Sequence, residues 1–275
     1  MADYCYFDAE RRFGGLERLY GPGSTARIRA GHVVIAGIGG VGSWCAEALA
    51  RCGVGRLTLI DLDHVAESNV NRQVHALDST LGQSKVVAMA QRIRDINPEC
   101  VLRLEDDFVA PDNVHDIVPQ DADMVIDCTD QAAAKIALIL QARQRRQALV
   151  TCGGAGGKTS PLALRSGDLS QALNDALLAK LRNTLRRNHG FPKAADAAGK
   201  VRRRVPRMMV RALWFDQPAI LPAAWASPAE ADAGPQGLSC AGYGSVVMVT
   251  AAMGLAAADE AVHWLLHGRH PDARN

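Results

Sequence analysis

Residues 33–42 read VVIAGIGGVG, an apolar run that breaks into G-x-G-x-x-G at Gly37, Gly39 and Gly42. Glycine carries no Cβ, so the backbone of such a turn can approach a phosphate closely, and the helix that follows turns its free N–H groups toward the charge. The next apolar run, LTLID, closes at Asp61, where an acid about 20 positions past the glycines grips a ribose hydroxyl. Strand, turn, helix and acid arrive in order, which favours a phosphate-bearing ligand over a tight structural turn. Taken alone, this pattern favours NAD.

Outward from that motif the chain alternates strand and helix signals to about residue 152. Strands are predicted at HVVIAGI, RLTLIDL, VLRLEDD, DMVIDC and ALVTCG, and helices at SWCAEALARC, SKVVAMAQRIRDI, PDNVHDIV and QAAAKIALILQARQ. The fold class this predicts is α/β, a doubly wound Rossmann-like and mainly parallel sheet. Beyond residue 160 the order changes: LALRSGDL reads as a strand and turn, a basic segment follows, and PAAWASPAEADAGPQG reads as a surface loop. The C-terminal half is therefore modified, and no repeat is visible.

With 275 residues, 48% of them hydrophobic, the chain can bury a sizeable core. Cysteines at 5, 45, 52, 100, 128, 152 and 240 form no C-x-x-C pair, so their spacing gives no zinc knuckle or disulfide framework and fits a reducing cytoplasm. The start, MADYCYFDAERR, lacks the apolar core of a signal peptide. The run SVVMVTAAMGLAAA (245–258) is too short to span a bilayer comfortably and suits a buried or inter-subunit helix instead. Net charge is only +2, yet Lys180–Arg211 carries eleven Lys or Arg against one acid, Asp196. So one-sided a block suits a polyanion such as RNA, with Arg186, Arg187, Lys200, Arg202, Arg203 and Arg204 as candidate contacts; a basic loop without a partner is the plainer reading.

The stretch after Asp61 separates nucleotide chemistries. HVAESNVNRQVH supplies Asn69, Asn71 and Arg72, and GQSK supplies Lys85 at the start of the next helix. Two cations beside a phosphate turn suit a triphosphate, because charge that develops on a leaving pyrophosphate needs them. DMVIDCTDQ then puts Asp127 and Asp130 at the carboxyl edge of the sheet, where a carboxylate can hold Mg²⁺ against phosphates. Singly, Arg72 reads as a surface charge, Lys85 as a helix-face cation and Asp130 as a helix N-cap.

GIGGVG, LIDLD, SNVNRQ, GQSK and DCTDQ, in that order and spacing, resemble the ubiquitin-activating-enzyme-like adenylyltransferases, the superfamily of the molybdopterin and thiamine sulfur-carrier activators. The resemblance implies ATP and Mg²⁺ as cofactors, with Gly37, Gly39, Gly40 and Gly42 approaching the phosphates and Asp61 the ribose. It assigns Ser68, Asn69, Asn71, Arg72, Lys85 and Gln131 to the nucleotide and Asp130 to both nucleotide and metal, with Arg72, Lys85 and Asp130 catalytic. RFGGLERLYG, INPEC, DDFVAPDN, TCGGAGGK and LSCAGYGS are similar to the tRNA threonylcarbamoyladenosine dehydratase family from about residue 12 to 265. That resemblance implies ATP-dependent activation of the threonyl carboxylate of threonylcarbamoyladenosine at position 37 of tRNA, then ring closure with loss of water. The element order and charge pattern divide the chain into an N-terminal arm over 1–30 and a single domain over 31–275, ATP-binding and adenylyltransferase-like by the resemblance, with a basic insertion at about 180–211; the resemblance also implies a homodimer, and a sulfur-transfer protein is a further candidate partner. The alternative in the same superfamily is activation of the C-terminus of a sulfur-carrier or ubiquitin-like protein; an NAD oxidoreductase and an RNA-binding scaffold are the readings from other classes.

Three departures refine this. The sulfur-carrier activators hold zinc with paired C-x-x-C motifs, which are missing here. They also present an arginine from a partner's N-terminal segment; here Gly15 stands at that place, with Arg12 or Arg18 nearby. GGAGGKT resembles a Walker loop, but Cys152 occupies the first glycine position, so a tight turn near the substrate is expected instead. Cys240 is a candidate nucleophile, although LSCAGYGS offers no cation to activate it and an inert buried thiol fits equally.

Overall fold

The computed structural model describes residues 7–196, 199–200, 202–221 and 243–271. Its strands are β1 (His32–Ala36), β2 (Arg56–Ile60), β3 (Val101–Glu105), β4 (Met124–Asp127), β5 (Ala148–Cys152), β6 (Leu164–Asp168) and β7 (Arg211–Phe215), and they form one sheet in the order β3-β2-β1-β4-β5-β7-β6. Strands β3 to β7 along that order run parallel, and β6 alone lies antiparallel, with Leu164 opposite Phe215 and Asp168 opposite Arg211. The order reverses beside β1, between β2 and β4, which opens a crevice at the carboxyl edge.

The helices are α1 (Ala9–Tyr20), α2 (Ser24–Ala30), α3 (Gly42–Arg51), α4 (Lys85–Ile96), α5 (Val114–Ile117), α6 (Ala132–Arg145), α7 (Ala176–Asn188) and α8 (Val247–His267). Side chains alternate across each strand, so Val33, Ile35, Leu57, Leu59, Met124 and Ile126 meet α3, α4 and α8 on one face. Val34, Ala36, Val125 and Leu149 meet α5, α6 and α7 on the other. Both faces are covered, as near-continuous apolar strands require. Packing dictates glycine in the turn after β1: Gly37 has φ of +88°, and a Cβ on Gly42 would sit 1.8 Å from the Gly37 carbonyl oxygen, so the first turn of α3 can close on the loop only without one.

The 245–258 run becomes the first half of α8, and Gly254 lets it lie against α3, since a Cβ there would fall 2.4 Å from the Val41 carbonyl oxygen. Among the described residues no helix is long and apolar enough to cross a membrane. Within the expected N-terminal arm, the described residues 7–30 contain α1 and α2, and α2 contributes fully buried Ile28 to the core. The basic run begins inside α7, which buries Leu177, Leu178, Leu181 and Leu185. Cys240 and the loop 222–237 lie outside the described residues.

Candidate active site

A cleft of about 360 Å³ opens at the carboxyl edge, lined by Gly37, Gly39, Gly40, Asp61, Asn69, Arg72, Lys85, Asp130 and Gln131 among others. Nine of the sequence-predicted residues are thus brought together by the glycine turn and the strand ends. A larger hollow, about 1190 Å³, lies at the opposite edge between α1, α2 and the starts of β2 and β3, away from every phosphate-directed feature.

Asp61 follows β2 and is tied to the glycine turn: its carboxylate accepts from the Ile38 N–H at 2.6 Å and the Asp63 N–H at 2.9 Å. Burial raises its pKa, against the pull of Lys85 and of those two N–H groups. Lys85, the first residue of α4, is nearly buried, with Nζ 2.7 Å from Asp63 Oδ2 and 4.0 Å from Asp61 Oδ1. The ammonium is therefore held inside the cleft by carboxylates rather than spread over a helix face.

Arg72 is fixed from several sides. Its Nη1 donates to the Ser68 carbonyl at 2.7 Å and to Asn71 Oδ1 at 3.0 Å, while its own carbonyl accepts from Trp44 Nε1 at 2.9 Å and Thr250 Oγ1 at 3.3 Å. Asn71 in turn donates to the Ser245 carbonyl. Ser68 and Asn71 thus sit behind the arginine, off the cleft lining, and orient it. A Cβ on Gly40 would lie 3.4 Å from Arg72 Cδ, so the loop backbone runs directly under the guanidinium stem. Asn69 accepts the Ala66 N–H and shapes the turn between them.

Asp130 is exposed in the cleft and has no protein partner among the described residues. The N-cap of α6 is Gln131, which removes the capping explanation for Asp130. Asp127 has a different fate: it is fully buried and bonded to Thr129, Thr151 and Lys135, so of the two edge carboxylates only Asp130 opens into the cleft. Sequence reasoning missed Gln73, Asp63, Thr129 and Thr250, which line the same cleft, and the wall Gly153–Ala155 lies there too, where the sequence predicts a tight turn near the substrate. The wall is held by Asp175, the N-cap of α7, whose Oδ2 accepts from the Gly154 N–H at 2.8 Å; a Cβ on Gly153 would strike that oxygen. Lys158 donates to the Asn174 and Gln217 carbonyls, so the Walker-like lysine is a backbone clamp.

The basic run divides in two. Arg182 donates to the Leu169 and Ala172 carbonyls, Arg186 Nε to the Pro192 carbonyl, and Arg211 pairs with buried Glu260 at 2.6 Å, so these three brace the fold. Arg187, Lys200, Arg202, Arg203 and Arg204 remain exposed. A groove of about 560 Å³ runs between Ser166–Gln171 and Arg203, Arg204 and Arg207. Arg12 caps the far end of α4 by donating to the Asp95 and Ile96 carbonyls, whereas Arg18 is exposed.

The sequence matches the ThiF family over residues 15–275. It is 43% identical over 253 residues to the tRNA threonylcarbamoyladenosine dehydratase of Escherichia coli, covering 92% of each chain, and 39% identical over 258 residues to that of Haemophilus influenzae, covering 94% of each. The structure of the E. coli enzyme in complex with ATP superposes with a TM-score of 0.81 at 38% identity, covering 95% of this chain and 97% of that one; a second structure of that enzyme contains AMP. The glycine turn, its cationic cover and the whole-length likeness agree, and the chain belongs to the ThiF family, among the tRNA threonylcarbamoyladenosine dehydratases.

Proposed function

We propose that this chain uses ATP to activate the threonyl carboxylate of threonylcarbamoyladenosine at position 37 of tRNA and then closes that group into a ring. The observation that carries the reading is the convergence of Arg72 and Lys85 on the glycine turn in a fold that a solved ATP-bound relative shares over nearly its whole length. A carboxylate oxygen attacks the α-phosphorus and pyrophosphate leaves; a heteroatom of the tethered ureido group then attacks the acyl carbon, and AMP leaves with the oxygen that the product lacks. Tethering supplies a large effective molarity for the second step, so no enzyme nucleophile is needed there. Arg72 and Lys85 offset charge on the leaving pyrophosphate, and Asp61 orders the turn beneath it.

The donor set fits Mg²⁺: one unpaired carboxylate, Asp130, beside a phosphate site suits a hard cation that keeps most of its ligands as phosphate and water. Bound there, the ion would neutralise phosphate charge. Among the described residues no group of three or more His, Cys, Asp or Glu could hold a metal by itself. The exposed Arg187, Lys200 and Arg202–Arg204 would take the RNA backbone. Two chains would pair as a homodimer, with Arg18 rather than the already occupied Arg12 available to a partner's nucleotide, and a sulfur-transfer protein would be a cellular partner.

Incubation with ATP, Mg²⁺ and modified tRNA should release AMP and pyrophosphate only when the tRNA carries the threonylcarbamoyl group. AMP formation that instead requires a small protein ending in Gly-Gly, and ignores tRNA, would replace this reading with the sulfur-carrier one.

A further inference from the structure

Beneath the cleft lies an ion pair from which water is excluded. Lys135 on α6 and Asp127 at the end of β4 are both 0% exposed, with Nζ 3.2 Å from Oδ2. The pair is fully hydrogen-bonded. Lys135 also donates to Thr151 Oγ1 at 3.4 Å and to the Cys152 carbonyl at 2.7 Å. Asp127 accepts from Thr151 Oγ1 at 2.6 Å and from the N–H and Oγ1 of Thr129 at 3.1 and 2.7 Å.

Two buried charges are costly to desolvate, and a well-packed apolar pair of similar volume commonly stabilises as well or better. Stability alone therefore does not account for them. Their reach does what an apolar pair cannot: one end grips Thr129, in the segment 128–131 that carries Asp130, and the other grips Cys152, the residue before the wall Gly153–Ala155. Both segments line the cleft where the neighbouring parallel strands β4 and β5 end, and neither Lys135 nor Asp127 lines it.

We propose that Lys135 and Asp127 are positioning residues for the reaction, a buried strut that sets the distance between Asp130 and the glycine wall where the acyl group is held. This rests on the reading of the cleft as the ATP site. Because both ends of the strut are anchored by charge-assisted bonds in a dry interior, the spacing is held more stiffly than loop packing would hold it.

Two charge-free double variants separate positioning from folding. Lys135→Met with Asp127→Asn keeps an acceptor for the Thr129 N–H, whereas Lys135→Met with Asp127→Leu removes it. Both variants lose the Lys135 grip on the Cys152 carbonyl, so the first should quicken amide exchange at 153–155 alone and lose less kcat than the second. The second should lose about 10²-fold in kcat, as expected of a displacement near 1 Å, with little change in ATP Kd because the glycine turn, Asp61 and Lys85 are untouched. Amide hydrogen exchange should quicken at 128–130 and 153–155 in the second variant and stay unchanged at 37–42. Wild-type kcat in the Leu variant, or unchanged exchange at both 128–130 and 153–155, overturns the strut. If the Leu variant does not fold, Thr151→Val serves: it removes one bond to Asp127 and one from Lys135 and should quicken exchange at both segments but not at 37–42, and unchanged exchange there overturns the proposal. Exchange needs no turnover, so failure of the strut is distinct from failure of the ATP reading, which would appear as absent AMP formation by the wild type.

Discussion

Replacing Lys85 by Met removes a cation while keeping most of the side-chain volume. Lys85 Nζ lies 4.0 Å from Asp61 Oδ1, and both side chains are under a tenth exposed. At an effective dielectric of about 20, a unit charge pair at that distance is worth about 4 kcal/mol. The closer Asp63 contact counts for less than about 1 kcal/mol, because that carboxylate is more than half exposed. Without the ammonium, the Asp61 carboxyl, already raised by burial, rises further, and Asp61 and Asp63 lose the cation that offsets their charge in the cleft. Transition-state charge then loses a fixed donor, a change typically costing about 10²–10³-fold in kcat, or about 2.7–4 kcal/mol. Single-turnover AMP release measures the loss, and filter binding measures tRNA affinity, which should stay unchanged. A kcat reduced by less than about tenfold, under 1.4 kcal/mol, would refute the assignment of Lys85 to the phosphates.

Neutralising Arg202, Arg203 and Arg204 together should weaken tRNA binding, lowering the slope of log K against log salt by about 0.7–0.9 for each phosphate no longer neutralised; ATP affinity measured by calorimetry should not move. Gly42→Ala should abolish ATP binding or soluble expression, since its methyl would occupy the position of the Gly37 carbonyl oxygen; a soluble variant with wild-type ATP Kd contradicts the packing argument. His75 is buried with neither ring nitrogen hydrogen-bonded, and burial, with Lys85 and Arg92 nearby, lowers its pKa from 6.5 to about 4. The unfolded chain therefore binds this proton first, so stability is present above pH 6.5 and is lost as pH falls toward 4, by about 3 kcal/mol at most. Urea unfolding between pH 7 and 4.5 should show His75→Asn to be less acid-sensitive than the wild type; equal sensitivity would count against this.

The strands and the glycine turn were legible because buried parallel strands are written as apolar runs and because a phosphate turn needs glycine at fixed positions. Arg72, Lys85 and Asp130 were legible as a set, since each has an ordinary reading alone but three charges following a glycine turn in that order are harder to dismiss together. The buried Lys135 was not: within QAAAKIALILQARQ nothing distinguishes a lysine that pairs inward from one that snorkels outward. Asp127 was read as a second edge carboxylate for the same reason, as its partners come from β5 and α6. In the basic run the charges hid a helix whose leucines recur at 177, 178, 181 and 185, and only the fold shows that Arg182, Arg186 and Arg211 bond inward. The wall Gly153–Ala155 joins the cleft through Asp175, some twenty residues later in the chain, a pairing that no local pattern carries.

Mass spectrometry of tRNA recovered after reaction with this protein, ATP and Mg²⁺ decides whether the chain dehydrates its substrate. The threonylcarbamoyladenosine nucleoside should become lighter by the mass of one water, with one AMP released per tRNA converted. A nucleoside of unchanged mass, from a protein that binds both ATP and the modified tRNA, would contradict the proposed dehydration.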